Sequence, residues 1–226
     1  MTIGYQNVGG GIVNAHGFLE RCHEKGVHIV FIGECWINNS GNGTTIHGAY
    51  TLGTRIQKGR RETVYWKKEL EDMIKMVMEE GRVMGIEVAW KKIFGVYGKS
   101  ASTSADYLSW LESIERKFRN WEGALVGDWN TYHRIWKEGD WENRQGRTLQ
   151  EWTTEEAYEL VKLEGPTSES TGDGQQKASR IDLIFTKATG MWEHSEKKRL
   201  TSDHWALFGQ MEVGMDIGSQ VRKVID

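Results

Sequence analysis

Near the end of the chain, Thr201-Ser202-Asp203-His204 sets an imidazole beside a carboxylate and two hydroxyls. Five further polar groups close or follow apolar runs: Gln6-Asn7, Gly33-Glu34, Val96-Tyr97, Gly127-Asp128-Trp129-Asn130 and Ser179-Arg180-Ile181-Asp182. An imidazole near carboxylates is acid–base machinery, and carboxylate oxygens are ligands for hard cations. Acid, amide, phenol and imidazole groups at six strand ends point to one active site assembled from the whole chain.

The elements that must position them alternate between strand and helix. Residues 2–8 read as a strand. Asn14 is placed to cap a helix running to about Lys25, with Ala15, Phe18, Leu19 and Cys22 on its apolar face and Gly26 as its stop. Val27 to Ile32 is a β-branched run of buried-strand type, so the opening is α/β. A loop rich in Asn, Gly, Ser and Thr follows at 38–48, then a strand from Tyr50 to Ile56. Over 62–81, the spacing of Leu70, Met73, Ile74, Val77 and Met78 favours a helix, and a pair of strands competes with it. Val83 to Trp90 and Ile93 to Tyr97 form a hairpin around Lys91-Lys92. Thr103 or Ser104 caps a helix to about Trp121, with Leu108, Leu111, Ile114 and Phe118 as its buried stripe. Ala124 to Val126 is a short strand delivering Asp128 and Asn130. Thr148 to Glu156 is partly helical, and Glu159 to Leu163 reads as a strand. A polar loop at 165–177 leads to a strand from Arg180 to Thr186, and the last strand spans Trp205 to Val213.

Composition narrows the classes. With 226 residues the chain suits one large domain, and a domain of that size buries most of its apolar surface without staples. Two cysteines, Cys22 and Cys35, cannot make a disulfide framework and lack zinc-type spacing. The amino terminus shows no secretory signal, and no apolar stretch approaches membrane-spanning length. The chain opens directly on a strand, as a domain cut from a larger polypeptide would. Net charge of −3 excludes a uniformly basic nucleic-acid binder. Basic residues are nonetheless clustered, and Lys197-Lys198-Arg199, just before Thr201, is the cluster best placed for phosphate.

In this order, the polar groups resemble the marks of the endonuclease/exonuclease/phosphatase superfamily: an Asn on the first strand, a Glu ending a later strand, a Val-Tyr pair, Gly-Asp-x-Asn, Ser-x-Ile-Asp and a terminal Ser-Asp-His. Here they are Asn7, Glu34, Tyr97, Asp128 with Asn130, Asp182, and Asp203 with His204. Three segments are similar to the apurinic-type endonuclease domain of non-LTR retrotransposons: Glu34-Cys35-Trp36-Ile37, Gly127-Asp128-Trp129-Asn130-Thr131-Tyr132-His133-Arg134-Ile135-Trp136, and Gly146-Arg147-Thr148-Leu149.

The resemblance implies a two-sheet α/β sandwich of four layers, with helices on the outer faces, a single domain over 1–213 and a tail over 214–226. It also implies Mg²⁺, with Mn²⁺ as a substitute. Glu34 is the candidate metal ligand. Asp203 is either a second metal contact or a water-activating acid. Asp128 would orient or deprotonate the attacking water, and Asn7 and Asn130 would hold the phosphate or that water. His204 would donate to a phosphate oxygen, oriented by Asp182, and Tyr97 would contact the phosphate or assist the leaving group. Ser202, Arg199 and His133 are candidate substrate contacts, His133 alternatively packing against Trp136.

Three positions depart from the family pattern. Gly9 stands where many relatives carry an acid or amide, Gly98-Lys99 where a small residue and Pro are usual, and Cys35 where Pro is usual. The expected activity is nicking of DNA to prime reverse transcription. The expected setting is a monomer, intracellular and nuclear when acting on chromosomal DNA, bound to no membrane, with a reverse transcriptase in the same parent polypeptide. The alternatives are a phosphatase or phosphodiesterase of the superfamily acting on a small molecule, lipid headgroup or RNA, and a binding module without catalysis.

Overall fold

The computed structural model describes residues 1–35, 47–53, 61–99, 103–137, 139, 141–172, 175–187, 195–199 and 202–212. Among the described residues it is a mixed α/β structure built on two six-stranded sheets and three α-helices. The strands are β1 (Thr2–Asn7), β2 (Ile29–Gly33), β3 (Tyr50–Leu52), β4 (Glu62–Lys67), β5 (Ile74–Glu80), β6 (Val83–Val88), β7 (Lys91–Tyr97), β8 (Glu122–Asp128), β9 (Glu159–Leu160), β10 (Ser168–Gly172), β11 (Gln175–Ser179), β12 (Asp182–Lys187), β13 (Ser195–Arg199) and β14 (Trp205–Gln210). The helices are α1 (Ile12–Glu24), α2 (Ser104–Phe118) and α3 (Arg144–Glu155). The first sheet runs β13-β14-β1-β2-β4-β3 and the second β5-β6-β7-β8-β12-β9, while β10 and β11 form a two-stranded ribbon whose Ser168 bridges His204.

Both sheets are built on one parallel pair, β1 with β2 and β7 with β8, each joined through a helix. Strand alternation sends one set of side chains between the sheets and the other outward. Ile3, Tyr5, Ile29, Phe31, Val64 and Trp66 of the first sheet meet Met84, Ile86, Ile93, Ala124, Val126 and Ile184 of the second. Outward, Val30 and Ile32 pack with Ala15, Phe18, Leu19 and Cys22 of α1. On the opposite outer face, Phe94, Leu125, Leu183 and Phe185 pack under α2 and α3. The four-layer expectation is therefore met. Burial on both faces explains why the central strands read as continuous apolar runs.

Several local expectations are corrected. The first helix starts at Ile12, not after Asn14, whose Nδ2 donates to Val8 O at 3.0 Å from inside the helix. The second strand begins at Ile29 rather than Val27. Tyr50–Leu52 is a strand, and the rest of the run expected to Ile56 passes beyond the described residues after Gly53.

The segment 62–81 is the pair of strands, β4 and β5, joined by a short 3₁₀ helix over Lys68–Met73. The helix-like spacing has a physical origin. Leu70 faces the core from the 3₁₀ turn, and a bulge between Met76 and Met78 puts Val77 and Met78 on one face, after Ile74 and Met76 on the other. The hairpin that follows turns at Ala89-Trp90, both at positive φ (47° and 64°), and the two lysines already belong to β7. Thr103 caps α2, accepting from Asp106 N at 3.1 Å, but Leu108 is exposed and Tyr107, Trp110, Leu111, Ile114 and Phe118 carry the buried stripe.

The third helix begins at Arg144, four residues before the expected start, capped by Asn143. Only Glu159–Leu160 of the 159–163 run is strand, and the strand after Arg180 starts at Asp182. The 165–177 loop holds most of the β10–β11 hairpin. Its strands, Ser168–Gly172 and Gln175–Ser179, are nearly all polar in sequence, so they leave no hydrophobic period to read. The last strand ends at Gln210, and the 214–226 tail lies outside the described residues. Among the described residues no helix is long and apolar enough to cross a membrane.

Candidate active site

The two parallel pairs end at one edge of the sandwich, and this gathers the polar groups. Asn7 ends β1, and Glu34 follows β2 directly. Tyr97 and Asp128 end β7 and β8 in register with each other. The antiparallel neighbours start at the same edge: Asp182 opens β12 opposite Asp128, and His204 precedes β14.

His204 is the centre of the arrangement. Its Nδ1 lies 3.0 and 2.9 Å from the two Asp182 carboxylate oxygens, and its Nε2 lies 4.0 Å from Asp128 Oδ2. The backbone around it is fixed from three sides. Gln6 Nε2 donates to His204 O at 3.0 Å, Ser202 Oγ accepts from His204 N at 3.1 Å, and the same hydroxyl donates to Asn7 O at 2.7 Å. Burial pushes the imidazole down, but the charge and hydrogen bond of Asp182, with Asp128 and Asp203 adding charge, outweigh it and raise it to about 10. The ring is therefore an imidazolium at neutral pH.

Asp128 is buried, and its contacts set its direction. Asn7 Nδ2 donates to Oδ2 and Asn130 N to Oδ1, both at 2.9 Å, and Asp128 N donates to the Tyr5 hydroxyl at 2.8 Å. Burial and the neighbouring Asp182 charge raise its carboxyl, against the lowering pull of His204, Asn7 and Asn130. Across the cleft edge, the Tyr97 hydroxyl donates to Glu34 Oε1, and Arg82 lies 5.1 Å from the Tyr97 ring centroid. Burial first, and then Glu34, push the phenol well above its ordinary value. Glu34 and Asn130 both hold a left-handed backbone, at φ 51°. Such conformations cost a non-glycine residue energy and cluster at functional sites.

The remaining candidates divide. Ser202 is buried beside Asn7, while Asp203 is exposed next to it, its Oδ1 at 3.3 Å from Ser202 Oγ. Arg199 closes β13, but its side chain lies outside the described residues, as do Trp36 and Thr201. His133 turns inward: it is buried, its ring centroid lies 5.5 Å from that of Trp136, and its Nδ1 accepts from Ile135 N at 3.2 Å. This placement fits the reading in which His133 packs against Trp136, and its Nε2 lies 3.6 Å from Glu142 Oε1.

The departures acquire reasons. Gly98 is required, because a Cβ there would lie 2.1 Å from Trp129 O, and Gly98 N donates to Asp128 O at 2.6 Å. Gly9 sits at φ 62°, with its missing Cβ 3.9 Å from Asp203 Oδ1.

Two residues escaped the sequence reading. Thr167 Oγ1 accepts from Ile181 N and Asp182 N, at 3.2 and 3.0 Å, and so positions the Asp182 carboxylate; nothing in its polar surroundings marks it. Glu62 is fully buried between the sheets, and neither carboxylate oxygen has a hydrogen-bond partner among the described residues. A Cβ on Gly95 would meet its Oε1 at 2.5 Å, and one on Gly33 its Oε2 at 3.4 Å. Desolvation, then the Asp128 charge, raise its carboxyl well above 4.5. Its phase was legible, since Glu62 alternates with the inward Val64 and Trp66.

Among the described residues, Asp128, Asp182 and His204 bring three atoms of metal-ligand type within 4.8 Å of one another, but an imidazolium has no lone pair for a metal, so His204 could ligate an ion there only after losing its proton. The donors at this edge are chiefly carboxylate oxygens, the type a hard divalent cation takes.

The family model described as endonuclease-reverse transcriptase matches residues 92–208, more than half of the chain. The chain belongs to that family, within the endonuclease/exonuclease/phosphatase superfamily of phosphodiesterases. No curated protein sequence matches it. Among solved structures it is similar to the endonuclease domain of TRAS1, a telomere-specific non-LTR retrotransposon, at 15% identity and a TM-score of 0.74, covering 95% of this chain and 99% of that one. It is also similar to an AP endonuclease from Archaeoglobus fulgidus, at 14% identity and 0.68, covering 94% and 100%. The catalytic domain of Xenopus laevis APE2 follows at 16% and 0.67, covering 93% and 91%. At these identities the likeness is one of fold.

Proposed function

We propose that this chain is a metal-dependent DNA endonuclease that nicks target DNA and leaves a 3′ hydroxyl for reverse transcription. The observation that carries the reading is the buried Asp182–His204–Asp128 line, with Asn7 holding its far end.

In the reaction, Asp128 takes a proton from a water that attacks the phosphorus in line, and the bond from phosphorus to the 3′ oxygen breaks. A carboxyl raised by burial is a suitable base near neutral pH. The His204 imidazolium, held by Asp182, donates from Nε2 to a phosphate oxygen and offsets the charge that develops there. Asn7 and Asn130 hold the water or the phosphate through their amides, and Ser202 steadies His204. Tyr97 assists the departing 3′ oxygen or contacts the phosphate, its phenol kept protonated by its surroundings. Mg²⁺, or Mn²⁺ in its place, would be held by Glu34 and Asp203 and would neutralise phosphate charge.

The reading extends to a monomer acting in the nucleus, with a reverse transcriptase in the same polypeptide. The family description and the retrotransposon origin of one structural relative support the reverse transcriptase part of that extension.

The test is nicking of a supercoiled plasmid in Mg²⁺. Asp128→Ala and His204→Ala should each lower the rate by about 10²-fold or more; full activity in both variants contradicts the proposal. Net charge of −3 favours a second reading, a phosphodiesterase for a small phosphoester.

A further inference from the structure

The loop between Asn130 and α3 carries an exposed aromatic pair. Trp141 is 65% exposed, and its ring lies parallel to that of Tyr132, with centroids 5.0 Å apart and an interplanar angle of 19°. Tyr132 follows Asn130 by two residues, so the pair is tied to the turn that carries Asp128. Ile135, in the same loop, is 61% exposed.

The two ends of the described part of this loop are held together by hydrogen bonds. Tyr132 N donates to Asn143 Oδ1 at 3.3 Å, Asn143 N returns a bond to Tyr132 O at 3.1 Å, and the same Oδ1 caps α3 through Gly146 N at 2.7 Å. A Cβ on Gly146 would fall 2.0 Å from Tyr132 O, so helix and loop touch backbone to backbone. Trp136 and His133 anchor the middle of the loop by burial. A fixed frame that leaves an indole in water runs against the usual burial of large apolar rings.

We propose that Trp141, backed by Tyr132, is a stacking platform for one nucleobase of the DNA beside the scissile phosphate. The inference rests on the endonuclease reading above. One indole face is covered by Tyr132, and the opposite face is the one a base would cover. Every base has a π-face, so such a platform adds affinity without demanding one sequence. In the chain Trp141 lies between Asp140 and Glu142, so a phosphate would be met by the basic residues on either side of this acidic stretch. Arg134 is largely exposed while held by Glu142 at 2.7 Å, and Arg147 is exposed at the start of α3.

The experiment measures binding of a labelled oligonucleotide duplex, and of its single strands, in EDTA. Trp141→Ala is compared with Trp141→Tyr and the parent. Trp141→Ala should weaken binding roughly 5- to 150-fold, and Trp141→Tyr should restore most of the loss. The slope of affinity against salt should stay as in the parent, because no phosphate contact is removed. A 2-aminopurine placed beside the scissile phosphate should be quenched by the parent and not by Trp141→Ala.

Equal binding by Trp141→Ala and the parent overturns the platform. So does a loss of dimer with DNA affinity unchanged, since that assigns Trp141 to a second copy of the chain. If the parent nicks plasmid while Trp141→Ala behaves identically, only the platform fails. If the parent neither binds nor nicks DNA, the endonuclease reading fails with it.

Discussion

At the scale of single residues, the site combines a buried imidazolium with carboxyl groups raised by burial. The Asp182–His204 contact explains the charge on the ring, and its removal is testable. Asp182→Asn should lower the His204 value from about 10, because the two largest causes that raise it are then gone; an NMR titration that finds the value unchanged contradicts this. Glu62 makes the opposite case. Its folded value lies above the unfolded 4.5, so the folded state holds a proton that the unfolded state releases, and stability falls as pH rises beyond about 4.5. Glu62→Gln should therefore be more stable than the parent at pH 8, with the gap between them widening by at most ~1.4 kcal/mol per pH unit. Urea midpoints at pH 5 and pH 8 measure it, and a gap that does not widen removes the explanation. The polar residues of the site were largely legible because each closes or opens an apolar run. Thr167 was not, because its hydroxyl works through two backbone amides that no motif encodes.

At the scale of elements, parallel pairing places the chemistry. The register Tyr97 with Asp128 and the close approach of Gly98 to the Trp129 carbonyl lock the end of β7 to the turn after β8. Gly98→Ala should cost about 1–3 kcal/mol through the overpacked contact and slow nicking by displacing Asp128. Thermal unfolding and the plasmid assay check both parts, and an unchanged midpoint contradicts the close approach. The strands of the interior were readable from apolar runs and the helices from their stripes. The segment 62–81 misled because a 3₁₀ turn followed by a bulged strand imitates a helical period. The β10–β11 hairpin was hidden because its residues, Ser168–Gly172 and Gln175–Ser179, are nearly all polar, so no apolar alternation marks it.

At the scale of the molecule, two sheets enclose a common core and bring six chain segments to one edge. That convergence was legible only through the order of the polar groups, because contacts such as Gln6 with His204 span nearly the whole chain. Overall charge argues weakly about the substrate, and salt dependence argues strongly. DNA binding should fall with log salt by about 0.9 log units per phosphate contacted, whereas a flat response fits a small phosphoester. The central claim is that the edge cuts the bond to a 3′ oxygen. The most direct measurement treats supercoiled plasmid with the parent protein in Mg²⁺ and asks whether a polymerase extends from the nick without end repair. The account predicts extension from a 3′ hydroxyl, lost with His204→Ala and in EDTA. Nicks that resist extension, or nicking that persists in the His204 variant at the parent rate, would contradict it.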